Sequence, residues 1–217
     1  MARIVGIKKG AHGTVTAVSD EGSLFHFKLE YYGKACEAAS VDAAPTALDA
    51  EAPTKAYSEL DDGALAVAVE ALVAETRAVA LLARAEQYRA GLERKLTARG
   101  VSRAAFRMAL DGLESAGLLS DTRYASSWIR QRCRTHAEGP RSLSAALSAR
   151  GIERYAIRDA LEAVFSGGDR QSMLENAVRL VARTGLGRAN MRNRLLELGW
   201  RHAEIDDALD AGMPALG

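Results

Sequence analysis

LERKLTARGV at residues 92–101, LSAALSARGI at 143–152 and MRNRLLELGW at 191–200 align without a gap, and their shared columns decide the fold. Four residues before each glycine stands Leu96, Leu147 or Leu195, and eight before it Leu92, Leu143 or Met191, one apolar stripe on a helix that the glycine ends. Glycine there takes the left-handed conformation without a Cβ clash and so closes the helix. Val101, Ile152 or Trp200 follows, then Phe106, Ile157 or Ile205, then Ala109-Leu110, Ala160-Leu161 or Ala208-Leu209, the i, i+3, i+4 spacing of a second helix. Gly100, Gly151 and Gly199 lie 51 and 48 residues apart, so each copy has room for about three short helices. A bias toward Ala and Leu explains apolar stripes but not three glycines in register.

A leading helix precedes each pair, over Leu65 to Ala85, Asp121 to about Thr135 and Asp169 to about Thr184. Ser120-Asp121 supplies a cap and an acidic first turn, and Pro140 fits the first position of the next helix, where its missing N–H costs nothing. A lone three-helix unit buries its core poorly, so the repeats are expected to stack into an elongated array. Upstream, Arg3–Lys8, Thr14–Val18 and Ser23–Leu29 alternate as strands between Gly-rich turns, which predicts a small antiparallel β meander. From Lys34 to about Glu59 the sequence turns to Ala, Asp, Glu, Ser, Thr and Pro with little periodicity and reads as a linker. The expected fold is therefore mainly α: a meander at 1–33, a linker at 34–60, and helical repeats at 61–119, 120–167 and 168–217.

With 48% hydrophobic and 26% charged residues, 19 Gly and 2 Cys, the chain falls outside the collagen-like, disulfide-stapled and wholly disordered classes. Cys36 and Cys133 lie far apart with no CxxC spacing, which fits a reducing compartment and offers no zinc cage. The basic opening MARIVGIKK lacks the apolar core of a signal peptide, so export is not expected. Charges at Glu70, Glu75, Arg77 and Arg84 interrupt the apolar run from Leu65 in a way that a lipid-facing helix does not tolerate, so no membrane partner is expected.

His12, His26, His136 and His202 have no partner at helical spacing, and Gly185-Leu186-Gly187 lacks both the third glycine and the preceding strand of a dinucleotide fingerprint. No GxSxG elbow or Walker lysine occurs, so neither cofactor, metal nor catalysis is expected.

Charge segregation is the positive signal. Net charge is only +1, yet between Thr122 and Arg158 eight arginines (Arg123, Arg130, Arg132, Arg134, Arg141, Arg150, Arg154 and Arg158) face two glutamates. Arg123, Arg130 and Arg134 fall at i, i+7, i+11 on one helical face, away from that of Tyr124, Trp128 and Arg132. Arg89, Arg94, Lys95 and Arg99 form a second group in the first repeat. Arginine forks suit carboxylates and phosphates, so these residues are the candidate partner-binding set; a merely solvated face is the alternative. Arg132, on the apolar side, is expected to clamp a helix end internally. Phe25, Phe27, Tyr31 and Tyr32 are placed in the meander, where they form its buried side or, alternatively, a stacking platform for bases.

The stretch Leu113–Ile129, LESAGLLSDTRYASSWI, with EGPRSL at 138–143 and LSARGI at 147–152, resembles the RecX family of recombination regulators. Ala80–Leu96 is similar to that family's first repeat, with Gly91 replacing a usual small or acidic residue, and Ile4–Lys9 with Asp20–Phe25 to a strand-rich extension of some members. The likeness weakens in the third repeat, where Trp200 replaces the usual aliphatic residue. The resemblance implies a bacterial cytoplasmic, non-enzymatic protein, expected as a monomer, that lies in the groove of the RecA filament and restrains its extension, recombinase and coprotease activities. Single- or double-stranded DNA is a further expected contact, and direct DNA binding through the arginine-rich repeat is the alternative function.

Overall fold

Gly100, Gly151 and Gly199 all adopt left-handed φ, at 77°, 87° and 93°. Each closes its helix with the same hydrogen bonds in a computed structural model that describes residues 4–40, 60–166 and 168–211. The residue after the glycine donates back five positions, Val101 to Leu96, Ile152 to Leu147 and Trp200 to Leu195, at 3.2, 3.3 and 3.2 Å. That residue is buried in every copy, which is why the column is apolar.

The protein is mainly helical. Among the described residues the elements are β1 (Ile4–Lys9), β2 (Thr14–Ser19), β3 (Leu24–Lys28), α1 (Leu29–Ala39), α2 (Asp62–Leu82), α3 (Arg89–Thr97), α4 (Arg103–Ser115), α5 (Asp121–Thr135), α6 (Pro140–Ser148), α7 (Arg154–Val164), α8 (Gly168–Ala182), α9 (Arg188–Glu197) and α10 (His202–Asp210). Helices α2–α4, α5–α7 and α8–α10 are the three repeats. No described helix is long and apolar enough to cross a membrane.

The chain separates into two compact units, Met1–Glu86 with Gly91–Leu119, and Gln87–Ala90 with Ser120–Gly217. In the first, the meander runs β1-β2-β3, all antiparallel, with Val15 opposite Phe27 and Ala17 opposite Phe25. Its buried face, Val15, Ala17 and Phe27, shares one core with α1, α2 and α4. Helix α2 presents a stripe of small residues, Ala64, Ala68, Ala71, Ala74 and Ala78, all buried, and the absence of bulk lets α1 and α4 approach closely. The N-cap Asp61 accepts from the Ala64 N–H at 2.7 Å, and Glu70 accepts from the Ser102 N–H at 2.9 Å and from its hydroxyl, tying α2 to the start of α4.

The linker boundary needs correction. Helix α1 occupies residues 29–39, across the expected junction at 33/34, because Tyr31, Tyr32, Ala35 and Cys36 form a helical buried face. The aromatic residues and Gly33 masked this period. Tyr31 and Tyr32 therefore lie on a helix rather than in the meander, and both are fully buried. The Tyr31 hydroxyl donates to Glu75 at 2.9 Å, beside the Lys28–Glu75 ion pair at 2.6 Å, and burial pushes its pKa far up. Tyr32 Oη accepts from the Asp61 N–H at 2.9 Å. With Phe27 buried as well, these rings belong to the core and are not a stacking platform. The rest of the expected linker, 41–59, lies outside the described residues.

In the second unit the middle and third repeats share one core, built on Ala125, Ile129, Leu143, Leu147, Ile157, Met191, Leu195 and Ile205. Ser120 caps α5 by accepting from the Arg123 N–H, and Pro140 takes the first turn of α6. The two repeats are joined at their turns. Gly139 N–H donates to the Leu198 carbonyl at 2.7 Å, Arg141 N–H to the Gly199 carbonyl at 3.3 Å, and the Trp200 indole to the Ala137 carbonyl at 2.8 Å. A Cβ on Gly139 would stand 2.6 Å from the Gly199 carbonyl carbon, so both glycines are required by close approach. The indole of Trp200 also meets Phe165 edge-on, at 6.0 Å between ring centroids.

Candidate partner-binding surface

The arginines of the middle repeat divide into an internal set and an external set. Arg132 makes a two-point pair with Glu138, Nε to Oε2 at 2.8 Å and Nη2 to Oε1 at 2.5 Å, which fastens the last turn of α5 to the segment leading into α6. This is the clamp the apolar position of Arg132 predicts. The guanidinium holds the Glu138 carboxyl below the usual carboxylate range, against the upward push of burial.

Arg150, nominated for partner binding, is also committed internally. Its Nη1 donates to the Ala146 carbonyl at 2.6 Å and its guanidinium lies 4.5 Å from the Trp128 ring centroid, with Arg132 5.5 Å from the same ring. Arg99, in the same column of the first repeat, repeats the device by donating to the Lys95 carbonyl at 2.9 Å. The arginines before Gly100 and Gly151 thus close their helix C-termini, where cations are favoured. Neither sequence spacing nor charge count could separate this duty from a surface one.

The external set consists of Arg130, Arg134, Arg141 and Arg154, exposed and without an ion-pair partner among the described residues. Arg123 is exposed and Arg158 pairs with the adjacent Asp159 at 2.8 Å. Arg130 and Arg134 border a groove of about 480 Å³ between α5 and α8 that Cys133, Val164, Asp169, Ser172, Met173 and Asn176 complete. Asn176 donates to the Cys133 carbonyl at 2.9 Å, fixing the groove's floor, and burial pushes the Cys133 thiol up to about 11.

Arg141 stands elsewhere, in a cleft of about 560 Å³ lined also by Arg170, Arg201 and His202 of the third repeat. Those three were not part of the predicted set. Arg201 occupies the N-cap column filled by Ser102 in the first repeat, a misplaced residue type that sequence alone could have flagged. Arg154 and Arg158 lie one turn apart on α7. The second group splits, with Arg89 in the second unit, where its N–H donates to Asp121 at 2.8 Å, and Arg94, Lys95 and Arg99 in the first.

A family model described as "RecX, second three-helix domain" matches residues 120–161, the segment that carries most of these arginines. A curated protein named "Regulatory protein RecX" from Pseudomonas fluorescens is 40% identical over 116 residues, 53% of this chain and 73% of that one. A protein of the same name from Stenotrophomonas maltophilia strain K279a is 41% identical over 107 residues, 49% of this chain and 62% of its own length. Among solved structures, a crystal structure of a regulatory protein RecX superposes with a TM-score of 0.62 at 18% identity, over 97% of this chain and 100% of that one. RecX from Lactobacillus salivarius superposes at 0.56 with 20% identity, over 65% and 96%. These superpositions speak to fold.

Proposed function

The chain belongs to the RecX family of regulatory proteins, and from that premise we propose that it binds the RecA recombinase filament along its groove and restrains filament extension, recombinase activity and coprotease activity. The observation that carries this reading is the external set, Arg130, Arg134, Arg141 and Arg154, held on short helices whose packing other residues provide. Exposed guanidinium groups without carboxylate partners among the described residues are available to the acidic surface of a protein polymer, and restraint follows when one ligand bridges neighbouring subunits of it. The arginines act by binding, and no step of bond chemistry is required of them.

RecA ATP hydrolysis on single-stranded DNA, measured with substoichiometric amounts of this protein, tests the reading. Suppression well beyond the molar ratio is expected. The combined reversal of Arg130, Arg134, Arg141 and Arg154 to Glu abolishes it with helicity unchanged; full suppression by the reversed protein would discard this surface, and no suppression by the native chain would discard the function.

A further inference from the structure

The cleft at the junction of the second and third repeats sets Arg141, a member of the filament-binding set, beside cations that filament binding does not use. Its lining includes Arg141, Arg170, Arg201 and His202 and no carboxylate. The nearby acids are already engaged: Glu204 accepts from Arg170 at 2.5 Å and from the Arg201 N–H at 3.3 Å, and Asp206 is forked by Arg192 at 2.6 and 2.9 Å. Arg141 and Arg201 are exposed; Arg141 has no side-chain partner among the described residues, and the charge of Arg201 is felt by Glu204, whose carboxylate Arg170 already holds.

His202 adds a third donor. Arg192 Nη2 lies 3.1 Å from His202 Nδ1, and since a guanidinium only donates, Nδ1 is the acceptor and the ring proton sits on Nε2. The backbone N–H of Arg141 is spent on the Gly199 carbonyl, so the cleft's attraction for anions rests on side chains rather than on a helix end.

We propose that this cleft binds a phosphate group, held between Arg141, Arg201 and the Nε2–H of His202, with Pro140, Leu196 and Trp200 as its apolar floor. Phosphate rather than carboxylate follows from the donor arrangement. A carboxylate is satisfied by one in-plane fork, as in the Arg192–Asp206 pair, whereas donors from the start of α6, the turn before α10 and α10 itself surround a concavity and serve an anion with oxygens on several sides. The volume, about 560 Å³, leaves room for a nucleotide unit attached to the phosphate. The site stands on this chain alone, so its failure is distinct from failure of the filament reading.

The chain's two tryptophans give a direct readout, because only Trp200 borders the cleft. Full-length protein labelled with ¹⁵N is titrated with thymidine monophosphate, a hexathymidylate and hexaglutamate while the indole N–H signals of Trp128 and Trp200 are followed. Trp200 is expected to shift saturably with the phosphate compounds while Trp128 stays in place. Equal affinity for the two identifies a nucleotide site, and at least tenfold tighter binding of the hexathymidylate a strand backbone. For the strand, R141Q/R201Q is expected to weaken binding about tenfold or more and to flatten the salt dependence of log K by about 0.7 per lost contact. The substituted residues are exposed, and an unshifted Trp200 signal in the unliganded variant verifies the fold. An unmoved Trp200, binding unaffected by the substitutions, or hexaglutamate acting at equal or lower concentration would overturn the proposal.

Discussion

Gly199→Ala and Gly151→Ala change the same column of two repeats in the same unit, yet their costs should differ. Both glycines have left-handed φ, at 93° and 87°, so any Cβ brings strain of about 1–2 kcal/mol. At Gly151 the added atom meets only the Ala90 Cβ, at 3.2 Å. At Gly199 it lands 2.6 Å from both the backbone nitrogen and the Oγ of Ser142. The serine hydroxyl can rotate away but the backbone nitrogen cannot, so the start of α6 must move. That movement breaks the Gly139–Leu198 and Arg141–Gly199 hydrogen bonds, a further loss of about 1 kcal/mol each. The expected cost is about 3–4 kcal/mol for Gly199→Ala against about 1–2 for Gly151→Ala. Trp128 and Trp200 both lie in the second unit, so urea unfolding followed by tryptophan fluorescence reports this unit. With a urea slope of about 1–3 kcal/mol per molar, the midpoint of Gly199→Ala should fall below that of Gly151→Ala by about 1 M. Equal midpoints would show that conformational strain alone sets the cost and that the inter-repeat turn contact contributes nothing.

Glu138 and Glu204 give the second unit an acid-side dependence. Arg132 holds the Glu138 carboxyl below the ordinary value of 4.5, and at Glu204 the upward push of burial is outweighed by Arg170 and Arg201 together, so the stabilisation is complete above that value and is lost as pH falls through the lower folded one. The urea midpoint should hold from pH 7 to about 5 and then decline, and Glu138→Gln should lower the plateau by about 1 kcal/mol and reduce the decline; a slope unchanged in the variant would refute the assignment. Arg150→Ala should cost about 1 kcal/mol through the lost Trp128 stack and Ala146 cap, and leave suppression of RecA ATP hydrolysis intact at a temperature where the variant is folded. Loss of suppression there would return Arg150 to the partner-binding surface.

The helical repeats were legible because two local constraints coincide in one column: Gly100, Gly151 and Gly199 must reverse φ, and the residue after each must reach back into the core. The clamp role of Arg132 was legible for a similar reason, since its helical face places it among apolar neighbours. Helix α1 was hidden because Tyr31 and Tyr32 favour strands in isolation, and their burial depends on Glu75 and Asp61, 44 and 29 residues away. The split of the arginines into internal and external sets was hidden more deeply. Arg150 and Arg154 have the same charge and neighbouring positions, but one folds over Trp128 while the other is exposed, and that choice is made by packing across α5 and α6.

The column after each shared turn shows where one backbone frame is put to different uses. Ser102 caps α4 and binds Glu70, Glu153 precedes α7 with no side-chain cap, and Arg201 precedes α10 as a residue that cannot accept a hydrogen bond. Replacing a capping side chain costs about 1 kcal/mol, and Glu204 recovers part of this by accepting from the Arg201 N–H. The rest is a local loss that packing in the third repeat does not require, since Ile205 and Leu209 fill the core whatever residue stands at 201. A capping position given over to a cation, next to Arg141 and facing a cleft without carboxylates, is intelligible if the charge has work to do there. Arg201→Ser therefore separates the two demands. It should raise stability of the second unit by about 1 kcal/mol in urea unfolding while weakening the phosphate-dependent shift of Trp200. A variant that gained stability with phosphate binding unchanged would show that the uncapped arginine serves neither purpose.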